Sequence, residues 1–139
     1  MHDDRVGPIA TVLRGLRRRC GRCGERGIFE GRFRLRERCP RCGYAFNREE
    51  GFFTGVILVN FSVTLLVLWV VIMAYVLWRA ATDSSSALTP MLVGCVAIGV
   101  VVPIAFYARA TATWAALDLV MRPLEPDEEA EAAVRADGA

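Results

Sequence analysis

Two long apolar runs dominate the second half of the chain. Residues 52–78 form a stretch of 27 residues without a charge, and residues 88–107 form a second such stretch of 20 residues. At 1.5 Å per residue these runs would make helices of about 40 Å and about 30 Å, and the hydrocarbon core of a membrane is about 30 Å thick. The pattern therefore predicts two membrane-spanning helices, assigned to residues 49–78 and 90–122, with a short external loop at residues 79–89.

The far end of the second span is open to two interpretations. After Arg109 the sequence stays favourable for a helix as far as Arg122, with many alanines and one tryptophan. Either the second helix continues out of the membrane, or residues 108–122 form an interfacial helix with Trp114 at headgroup depth. Arginines are dense before the first span, nearly absent from the loop and present again after the second span. The positive-inside rule then predicts that both termini are cytoplasmic.

Small and polar residues inside the two spans predict where the helices pack. Asn60 and Thr64 lie four residues apart in the first span, and Cys95, Gly99 and Pro103 follow the same spacing in the second. Small residues let helix backbones approach, and polar residues can form hydrogen bonds between helices. We therefore expect these five positions to form the helix–helix interface, with a ligand contact at Asn60 as the alternative.

Ahead of the spans, the period of the pattern becomes two. Residues 32–38 alternate strictly between arginine and another residue, which predicts a β-strand with Phe33 and Leu35 on one face. The preceding Ile-Phe pair would lie on the opposing strand of a hairpin, with the Glu-Gly dipeptide at the turn. The other face of the strand would carry a row of four arginines, Arg32, Arg34, Arg36 and Arg38.

This arginine row has three interpretations. It is first a solvated strand face beside the membrane, and second a docking surface for an acidic partner, including the acidic end of the same chain. Nucleic-acid binding is the third and less favoured interpretation, because Phe29, Phe33 and Tyr44 are the only aromatic residues nearby that could stack on bases.

Four of the five cysteines flank the predicted strand in two pairs. Their spacing is C-x2-C-x15-C-x2-C, which matches a four-cysteine zinc site. Gly24 and Gly43 directly follow the pairs, where a tight turn needs a positive φ, and Pro40 stiffens the second turn. Iron held by the same four sulfurs, as in rubredoxin, is the alternative to zinc. The predicted ligands of one metal ion are Cys20, Cys23, Cys39 and Cys42.

Such a site would be structural. Four thiolates complete a tetrahedral shell, which leaves no open position for a substrate. Residues 20–48 are too few to bury a core of their own, so metal coordination would supply folding energy to this ribbon. Since no nucleophile lies beside a base in the sequence pattern, we expect no enzymatic activity.

Charge is strongly segregated along the chain. Residues 1–51 carry thirteen arginines against seven acidic residues, whereas residues 123–139 carry six acidic residues against one arginine. We expect the basic arm, residues 1–19, to be mobile or loosely helical against anionic lipid headgroups, with nucleic-acid binding as the alternative. We expect the acidic tail at residues 123–139 to be disordered. The charged N-terminus argues against a cleaved secretory signal, so the cysteines would face a reducing compartment.

The order of these motifs resembles a bacterial family known as domain of unknown function 983. The resemblance rests on C-x-x-C-G at residues 20–24, G-R-F-x-L at residues 31–35 and C-P-x-C-G at residues 39–43, followed by two spans, and it covers about residues 18–122. Many members have an acidic stretch resembling D-G-P after the ribbon. This chain has R-E-E-G-F-F at residues 48–53, as a divergent branch would. The resemblance implies a cysteine-paired ribbon on a membrane hairpin, with no assigned activity, in a bacterial inner membrane.

These observations predict a mainly α membrane protein with a small cytoplasmic zinc-ribbon β-hairpin before a two-helix transmembrane hairpin. The first functional hypothesis is a non-catalytic adaptor or assembly factor for a membrane complex. Because family genes lie near those for cytochrome oxidase assembly in some bacteria, the resemblance implies a respiratory complex. The alternatives are an iron electron-transfer protein and a membrane-tethered nucleic-acid binder. The expected partners are membrane lipid and a membrane protein, or a second copy of the chain.

Overall fold

The computed structural model describes residues 7–48, 51–82 and 88–137 of the chain. It confirms the predicted fold class: the protein is mainly helical, with two long apolar helices and a small N-terminal hairpin that carries the cysteine cluster. The elements in chain order are α1 (Pro8–Leu16), β1 (Phe29–Glu30), β2 (Arg34–Leu35), α2 (Phe52–Thr82), α3 (Thr89–Met121) and α4 (Pro126–Asp137).

Helices α2 and α3 are long and apolar enough to cross a membrane. They pack antiparallel, since the beginning of α2 meets the end of α3: Gly55 lies against Trp114, and Asn60 lies against Pro103. The most apolar windows of α2 and α3 are only 17% and 6% buried. Such exposure suits contact with lipid and differs from the buried core helix of a soluble protein. The middle of the predicted connecting loop, residues 83–87, lies outside the described residues.

Helix α3 continues without a break past the end of its charge-free run, which decides between the two interpretations of residues 108–122 in favour of one continuous helix. From Tyr107 to Met121 this extension is about 21 Å long. It is rich in small residues, and most of them are buried: Ala108, Ala110, Thr111, Ala112, Thr113, Ala115 and Ala116. The N-terminal module, which comprises residues 7–48, packs around this α3 extension.

Helix α1 lies directly on the α3 extension. A Cβ on Gly15 would come within 2.7 Å of the Ala112 carbonyl oxygen and within 2.8 Å of the Ala116 Cβ, so the two backbones are in close contact. Thr11, one turn earlier on the same face, is also buried. The expectation of a mobile or loosely helical arm is thus wrong for residues 8–16, because glycine and alanine let two helices approach closely enough to pack.

The hairpin forms where predicted, but it is shorter than the alternating pattern indicates. Its antiparallel register pairs Phe29 with Leu35 and Glu30 with Arg34, and the turn begins at Gly31 with φ +73°. The seven-residue strand is therefore wrong in length. After β2 the chain separates from its partner strand β1 and turns toward the second cysteine pair. There, Arg38 forms an isolated bridge with Ala45.

The five predicted interface positions in the spans do not all lie between the helices. The Asn60 side-chain amide donates a hydrogen bond to the Pro103 carbonyl oxygen at 3.1 Å, and Thr64 is buried. Cys95 is half-buried. Gly99 is exposed, and a Cβ there would meet no atom within 4 Å, so its assignment to the interface is wrong. Gly99 lies on the same side of α3 as Cys95 and Pro103, but no other part of the described chain comes within contact distance of it at this level.

The acidic tail is helical over residues 126–137, which corrects the expectation of disorder there. Its first turn contains Asp127, Glu128 and Glu129, and acidic residues at a helix N-terminus interact favourably with the helix dipole. The Glu128 carboxylate accepts a hydrogen bond from the Glu125 backbone N–H at 3.1 Å, as in the reciprocal half of a capping box. Ala132 is buried, so this helix is also held by packing.

Candidate metal centre

The two cysteine pairs form two turns with the same hydrogen bonds. In the first, the Gly24 N–H donates to the Cys20 carbonyl at 2.8 Å, and the Cys20 N–H donates to the Glu25 carbonyl at 2.8 Å. In the second, the N–H of Gly43 donates to the Cys39 carbonyl at 3.0 Å, and the Cys39 N–H donates to the carbonyl five residues later at 2.8 Å. Both glycines have positive φ, at +78° and +65°, as the sequence analysis predicts.

These turns bring all four predicted sulfur ligands together. The Sγ atoms of Cys20, Cys23, Cys39 and Cys42 lie within 4.8 Å of one another, and all four cysteines are free thiols. The Cys20–Cys42 and Cys23–Cys39 sulfur distances are 3.8 Å and 3.6 Å. A tetrahedron with metal–sulfur bonds of about 2.3 Å has edges of about 3.8 Å, so the cluster fits one zinc or iron ion.

Hydrogen bonds among the four thiols shift their pKa values in different directions. Contacts from Cys20, Cys23 and Cys42 lower the pKa of Cys39 well below its ordinary value, because they stabilise its thiolate. Contacts with the same group of sulfurs, together with burial, raise the pKa of Cys20. A metal ion replaces the shared protons when it binds thiolates, so occupancy should fall at acid pH.

The ribbon is held to the α3 extension by an apolar core. Its fully buried members include Ile28, Tyr44 and Phe46, and the rings of Tyr44 and Phe46 meet edge to face at 5.4 Å. The same core includes two of the metal-site cysteines, the start of α2 and three alanines of α3. The cysteine cluster therefore lies on a packed base.

Arg48 joins three parts of the molecule. One of its Nη atoms donates to the Glu128 carboxylate at 2.9 Å, and the other donates to the Asp118 carboxylate at 3.0 Å and to the Arg122 carbonyl at 2.8 Å. Only 10% of the Arg48 side chain is exposed, and its guanidinium lies 5.6 Å from the Tyr44 ring centroid. Burial by itself would lower the pKa of Arg48. The hydrogen bond to Asp118 and the neighbouring charges raise this pKa by more than burial lowers it, so the net shift is upward and the side chain stays a cation.

Sequence reasoning missed Arg48. It is the last arginine before the first span, and Asp118 is the one acidic residue between the second span and the tail. Arg48 and Asp118 are opposite charges at the same predicted membrane boundary, and this could have indicated that they form a pair. The sequence gives no comparable indication of Glu128, because the tail contains several equivalent acidic residues.

The four predicted docking arginines do not form one row. Arg38 is half-buried, forms an ion pair with Glu131 of α4 at 2.6 Å and donates to the Gly43 carbonyl at 3.4 Å. Arg32, Arg34 and Arg36 are exposed, and they lie in the turn, in β2 and after β2. The chain's own acidic tail thus meets one arginine of the predicted set.

Helix α4 closes over the second cysteine turn. A Cβ on Gly43 would overlap the Ala132 carbonyl oxygen, so the helix backbone rests on the glycine. Together with the Glu131 and Glu128 ion pairs, this contact places α4 against the second cysteine turn and the end of α3.

Comparison with known protein families gives a match. A family model described as "Protein of unknown function (DUF983)" matches residues 29–105, which is more than half of the chain. The matched region contains the hairpin, the second cysteine pair, all of the first charge-free run and most of the second. No curated protein and no solved structure matches.

Proposed function

Because the chain belongs to the DUF983 family, whose function is not described, we propose its function from the site itself. The protein is a non-catalytic, membrane-anchored zinc-ribbon protein that acts as an adaptor or assembly factor for a membrane complex. Both termini lie in the cytoplasm of a bacterium, and the two spans lie in its inner membrane.

The closed sulfur cluster carries the non-catalytic part of this proposal. Four cysteine sulfurs with tetrahedral spacing would fill the coordination shell of one metal ion, as structural zinc sites do. Cys20 is fully buried and Cys39 is 3% exposed, so a substrate could not reach the ion from that side. The metal would stabilise the fold of the ribbon and take no part in a reaction.

The surface of α2 supports a protein partner within the membrane. Trp69 lies near the middle of α2, and 61% of its surface is exposed. Tryptophan is enriched at membrane interfaces because its indole N–H needs a polar partner, which lipid chains do not offer. An exposed indole at mid-span therefore favours contact with another membrane protein.

Photo-crosslinking in native membranes tests the adaptor role. Benzoylphenylalanine replaces Trp69 in the full chain, and the matched control carries it at Val96, which is 69% exposed near the middle of the second apolar run. We expect a discrete protein adduct from position 69 and diffuse lipid adducts from position 96. Lipid adducts alone at both positions, with no co-purifying protein in mild detergent, would count against an adaptor. An adduct of twice the chain mass would identify a second copy as the partner.

Metal analysis tests the ribbon. Protein from cells without added metal should contain one equivalent of zinc and should be colourless. Cys39→Ser should lose the metal and become protease-sensitive over residues 20–48, while both spans remain inserted, since membrane helices satisfy their own backbone hydrogen bonds. Cys95→Ser is the matched control, because Cys95 lies in α3 outside the cluster, and it should retain the metal.

An iron electron-transfer protein is the second candidate. Its support is that Cys23 and Cys42 are only half-buried, so two sulfurs of the cluster approach the surface, where an electron could enter. Iron in four thiolates would give a coloured sample with stoichiometric iron. A colourless sample with one zinc per chain ends this alternative.

Nucleic-acid binding has less support than either. Tyr44 is buried, and Phe29 lies beneath the Arg18 guanidinium at 4.7 Å, which leaves Phe33 as the exposed ring of the three candidates. Stacking platforms for single strands use successive exposed rings. Affinity that falls steeply with salt and is lost when Arg32, Arg34 and Arg36 are neutralised would revive this interpretation.

A further inference from the structure

The N-terminal module exposes large apolar side chains beside its arginines. Leu13 and Leu16 of α1 are 46% and 37% exposed, and Phe33 in the hairpin turn is 47% exposed. Each lies close in sequence to an exposed arginine, Arg17 or Arg32. An apolar surface bordered by arginines is the pattern of a segment that lies in the interfacial layer of a membrane.

The contacts that α1 and the hairpin turn make with α3 place these side chains near the interfacial layer. The Phe33 ring packs edge to face on Tyr107 at 6.3 Å, and Tyr107 lies two residues before Arg109, the first charged residue after the second apolar run. Gly15 lies against Ala112 and Ala116, which are about 7 Å and about 13 Å further along the helix. The headgroup layer of each leaflet is about 5 to 8 Å thick, so the hairpin turn falls within it and the C-terminal end of α1 lies at its outer edge.

The two parts form one surface, because Arg18 connects them. Its guanidinium donates to the Arg32 carbonyl at 3.2 Å and lies over the Phe29 ring at 4.7 Å. The hairpin turn and α1 are therefore fixed relative to each other, and α1 is fixed to α3 through Gly15.

The apolar surface of α2 continues to the same level. Gly55 packs against Trp114 of the α3 extension, and the neighbouring Phe53 and Ile57 are 62% and 65% exposed. Apolar side chains exposed beside the module indicate that its surroundings there are not bulk water.

We infer that this face of the module is an anionic-lipid-binding surface, formed by Leu13, Leu16, Phe33, Arg17 and Arg32. The three apolar side chains insert at the boundary between headgroups and acyl chains, and the two guanidinium groups bind lipid phosphates. The metal ribbon is thereby seated flat on the membrane. The inference rests on the placement of α2 and α3 in a membrane and is independent of any protein partner.

Lipid fits this face better than a protein partner does. Its apolar side chains have arginines next to them in the sequence, and a phospholipid offers both an acyl chain for the first and a phosphate for the second. The depth of Phe33, set by its contact with Tyr107, also makes phospholipid the molecule present there in highest concentration.

Site-specific photo-crosslinking of the reconstituted full chain tests this. Benzoylphenylalanine replaces Phe33 in one protein and Leu13 in another, and both are placed in liposomes of phosphatidylcholine, with or without 30% phosphatidylglycerol. The control position is Val134 on α4, which is 71% exposed. Val134 follows Glu128, which meets Asp118 through Arg48, and Asp118 is about 16 Å beyond Tyr107 along α3.

We expect lipid adducts at positions 33 and 13 in several-fold excess over position 134, with metal content unchanged. Absence of this excess at both positions overturns the inference, and so does an adduct to protein in place of lipid. Phosphatidylglycerol should raise the yield, and Arg17→Gln with Arg32→Gln should remove that increase. Equal yield in both lipids would overturn the role of the arginines in binding headgroups.

Discussion

Replacing Arg48 with methionine should open the contact between the ribbon, the end of α3 and the tail helix. Methionine keeps much of the packing volume over Tyr44 but removes the guanidinium, which makes hydrogen bonds of 2.9, 3.0 and 2.8 Å. The Asp118 side chain, which is 14% exposed, would be left without its cation. Removing one partner of a buried ion pair costs about 3 to 5 kcal/mol.

We expect a loss of about 3 kcal/mol in the free energy of local opening, at the low end of that range. Glu128 is 33% exposed, so water replaces part of what it loses. Hydrogen exchange of the protein in detergent should show the loss as faster exchange of α4 and of residues 38–48. The two spans should be unaffected, because their backbone hydrogen bonds are internal.

Two further variants of the chain serve as controls for Arg48→Met. Arg36→Met changes an exposed arginine of the same ribbon, and its effect should stay below about 0.5 kcal/mol. Arg48→Met combined with Asp118→Leu removes both charges, and it should recover part of the stability, since a buried pair replaced by apolar residues is often nearly neutral. The reasoning is refuted if Arg48→Met behaves like Arg36→Met, or if the second substitution adds its own full loss.

Three other substitutions test close contacts that the structure defines. Gly55→Leu should displace the indole beside Gly55 and lower the thermal stability of the detergent-solubilised protein. Gly99→Leu should be tolerated, because nothing lies within 4 Å of a Cβ at that position. Equal effects of the two substitutions would contradict the assigned interface. Gly43→Ala should release α4 to proteolysis because its Cβ would overlap that helix, whereas Gly31→Ala has a similar positive φ but open space and should show strain alone. Asn60→Leu should cost only about 0.6 kcal/mol, as typical of a hydrogen bond between membrane helices; a loss of several kcal/mol would show that Asn60 has a larger role.

Local chemistry made the cysteine cluster and the helices predictable. A C-x2-C turn followed by glycine can adopt few conformations, so the spacing alone indicated both turns and the four cysteines that meet. Charge-free runs of sufficient length must form helices if they lie in lipid, because no other arrangement satisfies their backbone groups. These features depend on neighbours in the chain, and the sequence therefore determined them.

The tertiary structure decided everything that depends on which surfaces meet. The tail is helical because Ala132 packs on Gly43 and Glu128 reaches Arg48, contacts that join residues more than 75 positions apart. Gly99 and Gly55 look equally suited to helix packing, yet of the two only Gly55 has another helix within contact distance. Composition states which residues could pack or pair, but how closely another element approaches each position selects the ones that do. That approach is set by the whole set of contacts around the α3 extension.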